Sequence, residues 1–285
     1  MLQSIIQAIT KATRAFFSNG KLAALFVLLY AVLVFFLYQF FTLPEARWWQ
    51  VTLWFSLWLL IPACFFWLQA MSVQYVSGEQ TPGDFLKQTG RAAGQILLIS
   101  LPFIALVWLL VWGVSKIEFM TTTGMQEALQ SAEPFDPKRF ETVSTRIGYL
   151  HTAATTVTGL LLYFILPLLL LQLWISTVRD GLKTSFRRVG RLLLRAFAPR
   201  AVLTYLLGFV VFAVVPYFII TTRTPVKSPW LDLTVLGLRI ALALLVALCG
   251  WVVTVGALTL LAPPLPPTTK TETDAPPLNA QAAPL

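Results

Sequence analysis

Residues 240–262 read IALALLVALCGWVVTVGALTLLA, and this stretch contains no charged side chain. The hydrocarbon core of a bilayer is about 30 Å thick, and an α-helix needs about 20 apolar residues to cross it. A helix also satisfies its own backbone hydrogen bonds, which lipid cannot do. Residues 240–262 are therefore predicted to form a membrane-spanning helix.

Five more apolar stretches of similar length precede this one. They cover 22–41, 48–71, 95–114, 152–176 and 201–221. Of the 285 residues, 57% are hydrophobic and only 12% are charged, whereas about a quarter of the residues in soluble domains are charged. We therefore predict an all-α, polytopic membrane protein with six transmembrane helices and basic interfacial helices on the cytoplasmic side.

Lysine and arginine are unevenly distributed between the connecting segments. If the N-terminus is cytoplasmic, thirteen of them fall in cytoplasmic segments and seven in outer segments. An excess of basic residues marks the cytoplasmic side of a membrane protein. The predicted location is a prokaryotic cytoplasmic (inner) membrane, with both termini in the cytoplasm. The net charge of +9 then indicates orientation and affinity for anionic lipid, and no nucleic-acid partner is predicted.

Composition divides the chain into three regions. Residues 1–21 are predicted to form an amphipathic interfacial segment, because apolar side chains recur there at helical spacing. Residues 22–262 form the transmembrane domain, with an outer loop at 115–151 and a basic cytoplasmic helix at 180–198. Residues 263–285 are rich in proline and have little to bury, which predicts a disordered tail. Each cytoplasmic basic segment is followed by two spans, which suggests a threefold repeat.

The basic helix carries the strongest functional signal. An apolar stripe is predicted from Leu182, Phe186, Val189 and Leu193. The basic residues beside it are Lys183, Arg187, Arg188, Arg191 and Arg195. A juxtamembrane basic residue contributes about 1 kcal/mol of attraction to an anionic leaflet. These five residues are predicted to bind anionic phospholipid or a protein partner. The alternative is that they only set the topology and anchor the helix.

Two polar residues are candidates for contacts inside the membrane. Gln172 lies within the fourth span, where either an interhelical hydrogen bond or a substrate contact would explain it. Arg239 directly precedes the sixth span and either reaches the outer interface with its long side chain or serves a function within the membrane. Trp174 is predicted to be an anchor at the inner membrane interface.

Prolines occur within spans two to five, at positions 62, 102, 167 and 216. A proline removes one backbone hydrogen bond and kinks the helix, and a neighbouring helix can bond the freed carbonyl. The kinks indicate either a gate or static bends that improve packing.

The residues of catalysis and metal binding do not form a recognisable pattern. His151 is the only histidine, and no phosphate-binding loop, nucleophile elbow or zinc motif occurs in the chain. The predicted spans contain no Asp or Glu, which argues against proton- or sodium-coupled transport. We therefore expect no enzyme activity and no cofactor.

The order of elements resembles that of a loose group of prokaryotic six-span proteins. The group includes the membrane domain attached to some glycerophosphodiester phosphodiesterases and related families of unknown function. The resemblance covers residues 1–262 and is carried by basic segments, at 87–91 and 183–195, that lie between a descending and an ascending span. It implies the six-span architecture and no activity, and no functional residue is transferred from it.

Taken together, these features predict a non-enzymatic accessory or scaffold protein that engages anionic lipid or a membrane partner, either another protein or a second copy of itself. The alternative is a permease or a transporter membrane subunit for a small or amphiphilic solute. The alternative predicts a polar cavity lined by residues such as Gln172, with helices broken near Pro167 and Pro216.

Overall fold

The structure, a computed structural model, describes residues 1–44, 47–77, 82–130, 137–222 and 228–262. These residues are almost entirely helical and include no β-strand. The predicted disordered tail, 263–285, lies outside the described residues. The described helices are α1 Leu2–Ser18, α2 Gly20–Thr42, α3 Trp48–Gln74, α4 Pro82–Gln130, α5 Pro137–Leu160, α6 Leu166–Asp180, α7 Leu182–Arg187, α8 Val189–Ala196, α9 Pro199–Phe209, α10 Val215–Thr221 and α11 Pro229–Leu261.

Six stretches are long and apolar enough to cross a membrane, which confirms the predicted all-α, six-span class. They are Gly20–Thr42, Trp48–Gln74, Gly83–Lys116, His151–Asp180, Pro199–Thr221 and Pro229–Leu261. The predicted interfacial position of the basic helices on the cytoplasmic side stays a prediction. The spans are longer than the predicted apolar stretches because the helices continue into their flanking residues. The sixth, for example, begins eleven residues before residue 240.

The segment 115–151, predicted as an outer loop, is helical wherever the structure describes it. Helix α4 has 49 residues and ends at Gln130, and α5 begins at Pro137. At about 1.5 Å per residue, the part of α4 beyond Lys116 extends well past the membrane span. Two helical extensions therefore project from the bundle where the prediction placed an outer loop.

Helix α11 lies at the centre of the bundle. Of its most apolar window, 44% is buried inside the protein, compared with 11–22% in the other five spans. Small residues allow its neighbours to approach closely. A Cβ atom added to Gly208 of α9 would lie 2.1 Å from Thr254 Oγ1, and one added to Gly256 would lie 2.1 Å from Tyr75 Oη.

The N-terminal helix α1 packs against the end of α11. Its buried residues are Ile5, Ala8, Ala12 and Phe16, whereas Leu2 and Ile6 remain exposed. The hydroxyl of Tyr75 donates to the carbonyl of Val252 at 3.2 Å and lies 3.4 Å from that of Ala12. The predicted interfacial segment is thus attached to the core on one side and carries exposed apolar side chains elsewhere.

Two of the predicted proline kinks coincide with wide turns. Five-residue π-helical turns cover Leu161–Ile165 and Val210–Val214. Because Pro167 has no N–H, the carbonyl of Tyr163 loses its helical hydrogen bond. The hydroxyl of Tyr205 in α9 donates to that carbonyl at 2.9 Å. This contact favours a static bend at Pro167.

Buried tryptophans join neighbouring helices through their indole N–H groups. Trp174 donates to Ser100 Oγ at 2.8 Å, and Trp251 donates to Gln69 Oε1 at 2.8 Å. Trp174 is only 4% exposed, so its prediction as an interfacial anchor was wrong. Its indole holds α6 against α4 inside the bundle.

Candidate functional site: the basic end of the bundle

One end of the bundle carries the segment with the highest density of positive charge. We call it the basic end and define it by α7, α8 and the adjoining termini of α6, α9 and α11. A single basic helix over 180–198 was predicted. The structure has two helices instead, because the chain leaves helical geometry at Arg188, with φ −115° and ψ 13°.

The turn between α6 and α7 depends on glycine. Gly181 has φ 81°, a conformation that side chains with a Cβ atom rarely adopt. Beyond this turn, the buried Ser185 donates from Oγ to Ser176 Oγ at 3.0 Å, and Ser176 Oγ donates to Asp180 Oδ2 at 3.2 Å. Helix α7 is therefore held to the end of α6 by buried hydrogen bonds.

The apolar face of the basic segment agrees with the predicted stripe only in part. Leu182 and Val189 pack against the main core, and Leu192 and Ala196 are buried in it, whereas Phe186 is 55% exposed. The break at Arg188 changes the helical phase between α7 and α8, so a single 3.6-residue repeat across both helices places part of the stripe incorrectly. The apolar anchoring of the segment thus comes mainly from the second helix.

The five predicted basic residues fall into two groups. Lys183, Arg187 and Arg191 are exposed, and Arg188 and Arg195 are half-buried. None of the five forms an ion pair with a carboxylate in the part of the chain that the structure describes. Their positive charges are therefore not neutralised by acidic side chains there.

A cavity of about 360 Å³ opens beside the half-buried Arg195. We call it the Gln172 cavity, and its lining residues are Gln172, Arg195, Ala198, Arg200, Ala201, Leu258, Leu261 and Ala262. The structure thus brings two of the predicted site residues, Gln172 and Arg195, to one place. Arg200 joins them, although sequence reasoning had counted it only toward topology.

Gln172 is buried at the inner wall of this cavity. Its side chain is 4% exposed and makes no hydrogen bond to any residue that the structure describes. The predicted interhelical hydrogen bond is therefore not formed. The enclosed side-chain atoms without a partner in the described residues are Gln74 Oε1 and Thr177 Oγ1, whereas the amide of Gln172 retains access to the cavity that it lines.

Arg179 neutralises the carbonyl end of α11 next to the cavity. Its Nη1 donates to the carbonyl of Ala262 at 2.8 Å and its Nη2 to that of Thr259 at 2.5 Å. The last carbonyls of a helix carry partial negative charge. Sequence reasoning missed this role, and the only available signal was an arginine directly after an apolar helix.

Arg239 lies away from this site, as the eleventh residue of α11. It is half-buried, and its Nη1 donates to the carbonyl of Thr222 at the end of α10. The structure therefore does not bring Arg239 to Gln172. Its contact at a helix end fits the predicted position near the outer boundary.

The described residues include no group of three or more His, Cys, Asp and Glu side chains that could hold a metal ion. His151 is exposed at the start of the fourth span. What the basic end does present is a set of exposed and half-buried cationic side chains.

Comparison of the chain with protein-family models, with curated proteins and with solved structures finds no match in any of the three. The resemblance to the phosphodiesterase-associated membrane domain accordingly stays a prediction.

Proposed function

We propose that this six-span membrane protein is a non-enzymatic accessory or scaffold protein that binds anionic lipid at its basic end. The proposal places it in a prokaryotic inner membrane with both termini, and hence the basic end, in the cytoplasm. It also retains the resemblance to the six-span membrane domains as a proposed relationship. A protein partner or a second copy of the chain would bind at the same basic end.

The observation that carries the proposal is the attachment of α7 and α8. Leu192, Ala196 and Ser185 fix the two helices to the core, and Lys183, Arg187 and Arg191 face outward from them. A fixed array of exposed cations binds an anionic surface with a smaller loss of conformational entropy than a mobile loop would. At about 1 kcal/mol for each basic residue near the surface, such an array concentrates anionic lipid.

A permease is the second candidate, and the Gln172 cavity is the observation that favours it. A permease also needs an exit at the other end of the bundle. The helices continue past Pro167 and Pro216, each of which lies just after a π-helical turn, and Tyr205 bonds the carbonyl freed at Pro167. Lipid binding is therefore the better-supported proposal, and a solute-flux assay in vesicles tests the permease.

The proposal is tested by changing Lys183, Arg187, Arg188, Arg191 and Arg195 together to glutamine. We expect the purified variant to retain several-fold less anionic phospholipid, relative to zwitterionic lipid, than the wild type. The physical reason is the loss of five attractive charges, each worth about 1 kcal/mol before screening. The measurement is mass spectrometry of lipid that co-purifies after extraction from membranes of defined composition.

A matched variant removes five charges elsewhere at the cytoplasmic side. It changes Lys11, Arg14, Lys21, Lys87 and Arg91, all exposed, to glutamine. Both variants must first insert with the wild-type topology. An equal loss of anionic lipid from the two variants would contradict the assignment to α7 and α8 and leave only a general effect of charge.

A further inference from the structure

The Gln172 cavity has one polar wall and one apolar wall. Gln172, Arg195 and Arg200 supply the polar side, and Ala201, Leu258 and Leu261 supply the apolar side. Ligand sites in proteins combine a mostly apolar lining with a few polar groups that fix orientation. The arrangement suits a ligand that is charged at one end and apolar at the other.

The polar wall is cationic and not neutralised. Arg195 and Arg200 form no ion pair with a carboxylate in the described residues. The carbonyl end of α11, which would repel an anion, is already bonded by Arg179 at Thr259 and Ala262. The cavity is therefore lined by two cationic side chains, and the nearby carboxylate of Asp180 interacts with Arg179.

The first turn of α9 also borders the cavity. Ala198 precedes the helix, Pro199 begins it, and the turn has no acidic residue. Ala198, Arg200 and Ala201 of this turn all line the cavity. Pro199 has no N–H, and the N–H groups of Ala201 and Val202 bond the carbonyl of Ala198. The turn therefore contributes the Arg200 side chain to the cavity rather than a set of free N–H groups.

The unpartnered amide of Gln172 is an independent indication of a ligand. It is 4% exposed and lines the same cavity. If residue 172 only filled space in an apolar bundle, a leucine there would stabilise the protein more than a glutamine. An amide that bonds a ligand oxygen would gain its missing hydrogen bond when the ligand is present.

We propose that the Gln172 cavity binds one phosphate group of an anionic membrane lipid, with Arg195 and Arg200 pairing the charge and Gln172 donating to a phosphate oxygen. The proposal rests on the proposed function and narrows it to one site. The volume of about 360 Å³ suits a head group, so the acyl chains lie outside, past Leu258 and Leu261. The apolar wall favours a lipid over a free phosphate ion.

The test titrates the full chain, solubilised in a neutral detergent, with short-chain phosphatidylglycerol and counts bound lipid by native mass spectrometry. We expect the wild type to bind one molecule saturably. Because charge-assisted hydrogen bonds are about twice as strong as neutral ones, we expect R195Q/R200Q to weaken this binding at least about tenfold. The control K87Q/R91Q removes the same charge from exposed positions of α4, outside the array on α7 and α8, and should leave the affinity within about threefold, as expected for screened exposed charges.

Gln172→Leu separates a ligand contact from a structural role. We expect it to lower lipid affinity at least about tenfold, as the loss of one hydrogen bond to a charged group predicts. We also expect its melting temperature to be equal to or higher than that of the wild type, because an unpartnered amide is replaced by an apolar group. A lower melting temperature with unchanged lipid affinity would overturn the assignment of Gln172.

The remaining outcomes distinguish the site from the general function. If R195Q/R200Q and K87Q/R91Q lose affinity equally, the single site is wrong, although attraction to an anionic surface survives. If no saturable binding occurs, the site is also wrong. If millimolar inorganic phosphate displaces the bound phosphatidylglycerol, and binds the lipid-free protein equally tightly, the lipid assignment is wrong and the ligand is a soluble phosphate. If inorganic phosphate does not displace the bound phosphatidylglycerol, the proposal is supported.

Discussion

Replacing Gly256 with leucine is expected to lower the free energy of unfolding by about 4 kcal/mol. A Cβ atom at this position would lie 2.1 Å from Tyr75 Oη and 2.6 Å from Tyr75 Cζ. The phenol cannot move away without leaving the carbonyls of Val252 and Ala12. Overpacking costs about 1–3 kcal/mol, and a lost hydrogen bond adds about 0.5–1.5 kcal/mol. Unfolding by denaturing detergent, followed by circular dichroism, measures the change.

The surroundings of Tyr75 explain why this position is so sensitive. Its ring centroid lies 6.1 Å from that of Phe16 and 6.0 Å from that of Phe26, both edge-on. Tyr75 thus joins α1, α2 and α11 at one point. Displacing it should loosen α1 from the bundle as well as destabilise α11.

Gly237 provides a control on the same helix. A Cβ atom there would meet nothing within 4 Å, so G237L should leave stability unchanged or raise it by up to about 1 kcal/mol, the helix-propensity gain. Similar destabilisation by G237L and G256L would contradict the close contact with Tyr75 and indicate a general intolerance of α11 to leucine.

Replacing Gly208 with leucine is expected to lower the free energy of unfolding by about 3 kcal/mol, through overpacking alone. A Cβ atom at Gly208 would lie 2.1 Å from Thr254 Oγ1 and 2.4 Å from Thr254 Cγ2. Helices α9 and α11 approach closely here, so the new side chain can be accommodated only if the helices separate. The same detergent unfolding experiment measures the effect.

A double-mutant cycle identifies the contact responsible. Thr254→Ala removes the two nearest atoms, so G208A should destabilise less in the T254A background, with a coupling of about 0.5–3 kcal/mol. Gly113, in α4, meets nothing within 4 Å, and G113L serves as the neutral control. Additive effects of G208A and T254A would show that these two residues do not limit the approach of α9 to α11.

Hydrophobicity predicted the six spans well because each crossing needs one long uncharged stretch, and residues 240–262 are such a stretch. Hydrophobicity did not predict which span is central. The mean hydropathy of α11 is 2.4, equal to that of α2, and lipid-facing and buried leucines contribute equally to that average. Small residues such as Gly256 mark the central span, because other helices pack closely against them. The residues that they contact are far away in the sequence, so the sequence alone does not identify these contacts.

Helix ends were predicted less well, and the reason is local. The prediction treated 115–151 as a loop because it is polar, yet a polar segment outside a membrane can remain helical, as α4 does to Gln130. The prediction for the basic segment was wrong in the opposite way, because regular spacing over 180–198 suggested one helix. Only the backbone geometry at Arg188 reveals two.

The candidate site was predicted in part. Gln172 and Arg195 were identified separately, one as an intramembrane polar residue and one as a member of a basic cluster. Their meeting in one cavity depends on the turn at Gly181 and the break at Arg188, which fold α8 back beside α6. Arg200 lines the cavity and Arg179 bonds the end of α11 only because of this tertiary arrangement. Their positions in the sequence therefore could not predict these roles.

The most direct test of anionic lipid binding is the lipid composition immediately around the wild-type protein. The protein would be extracted, with its surrounding lipid, by a membrane-solubilising polymer from a bilayer of known anionic and zwitterionic content. The account predicts that phosphatidylglycerol is enriched several-fold over the bulk bilayer and that the enrichment falls as salt increases. A composition equal to that of the bulk bilayer at low salt would contradict it.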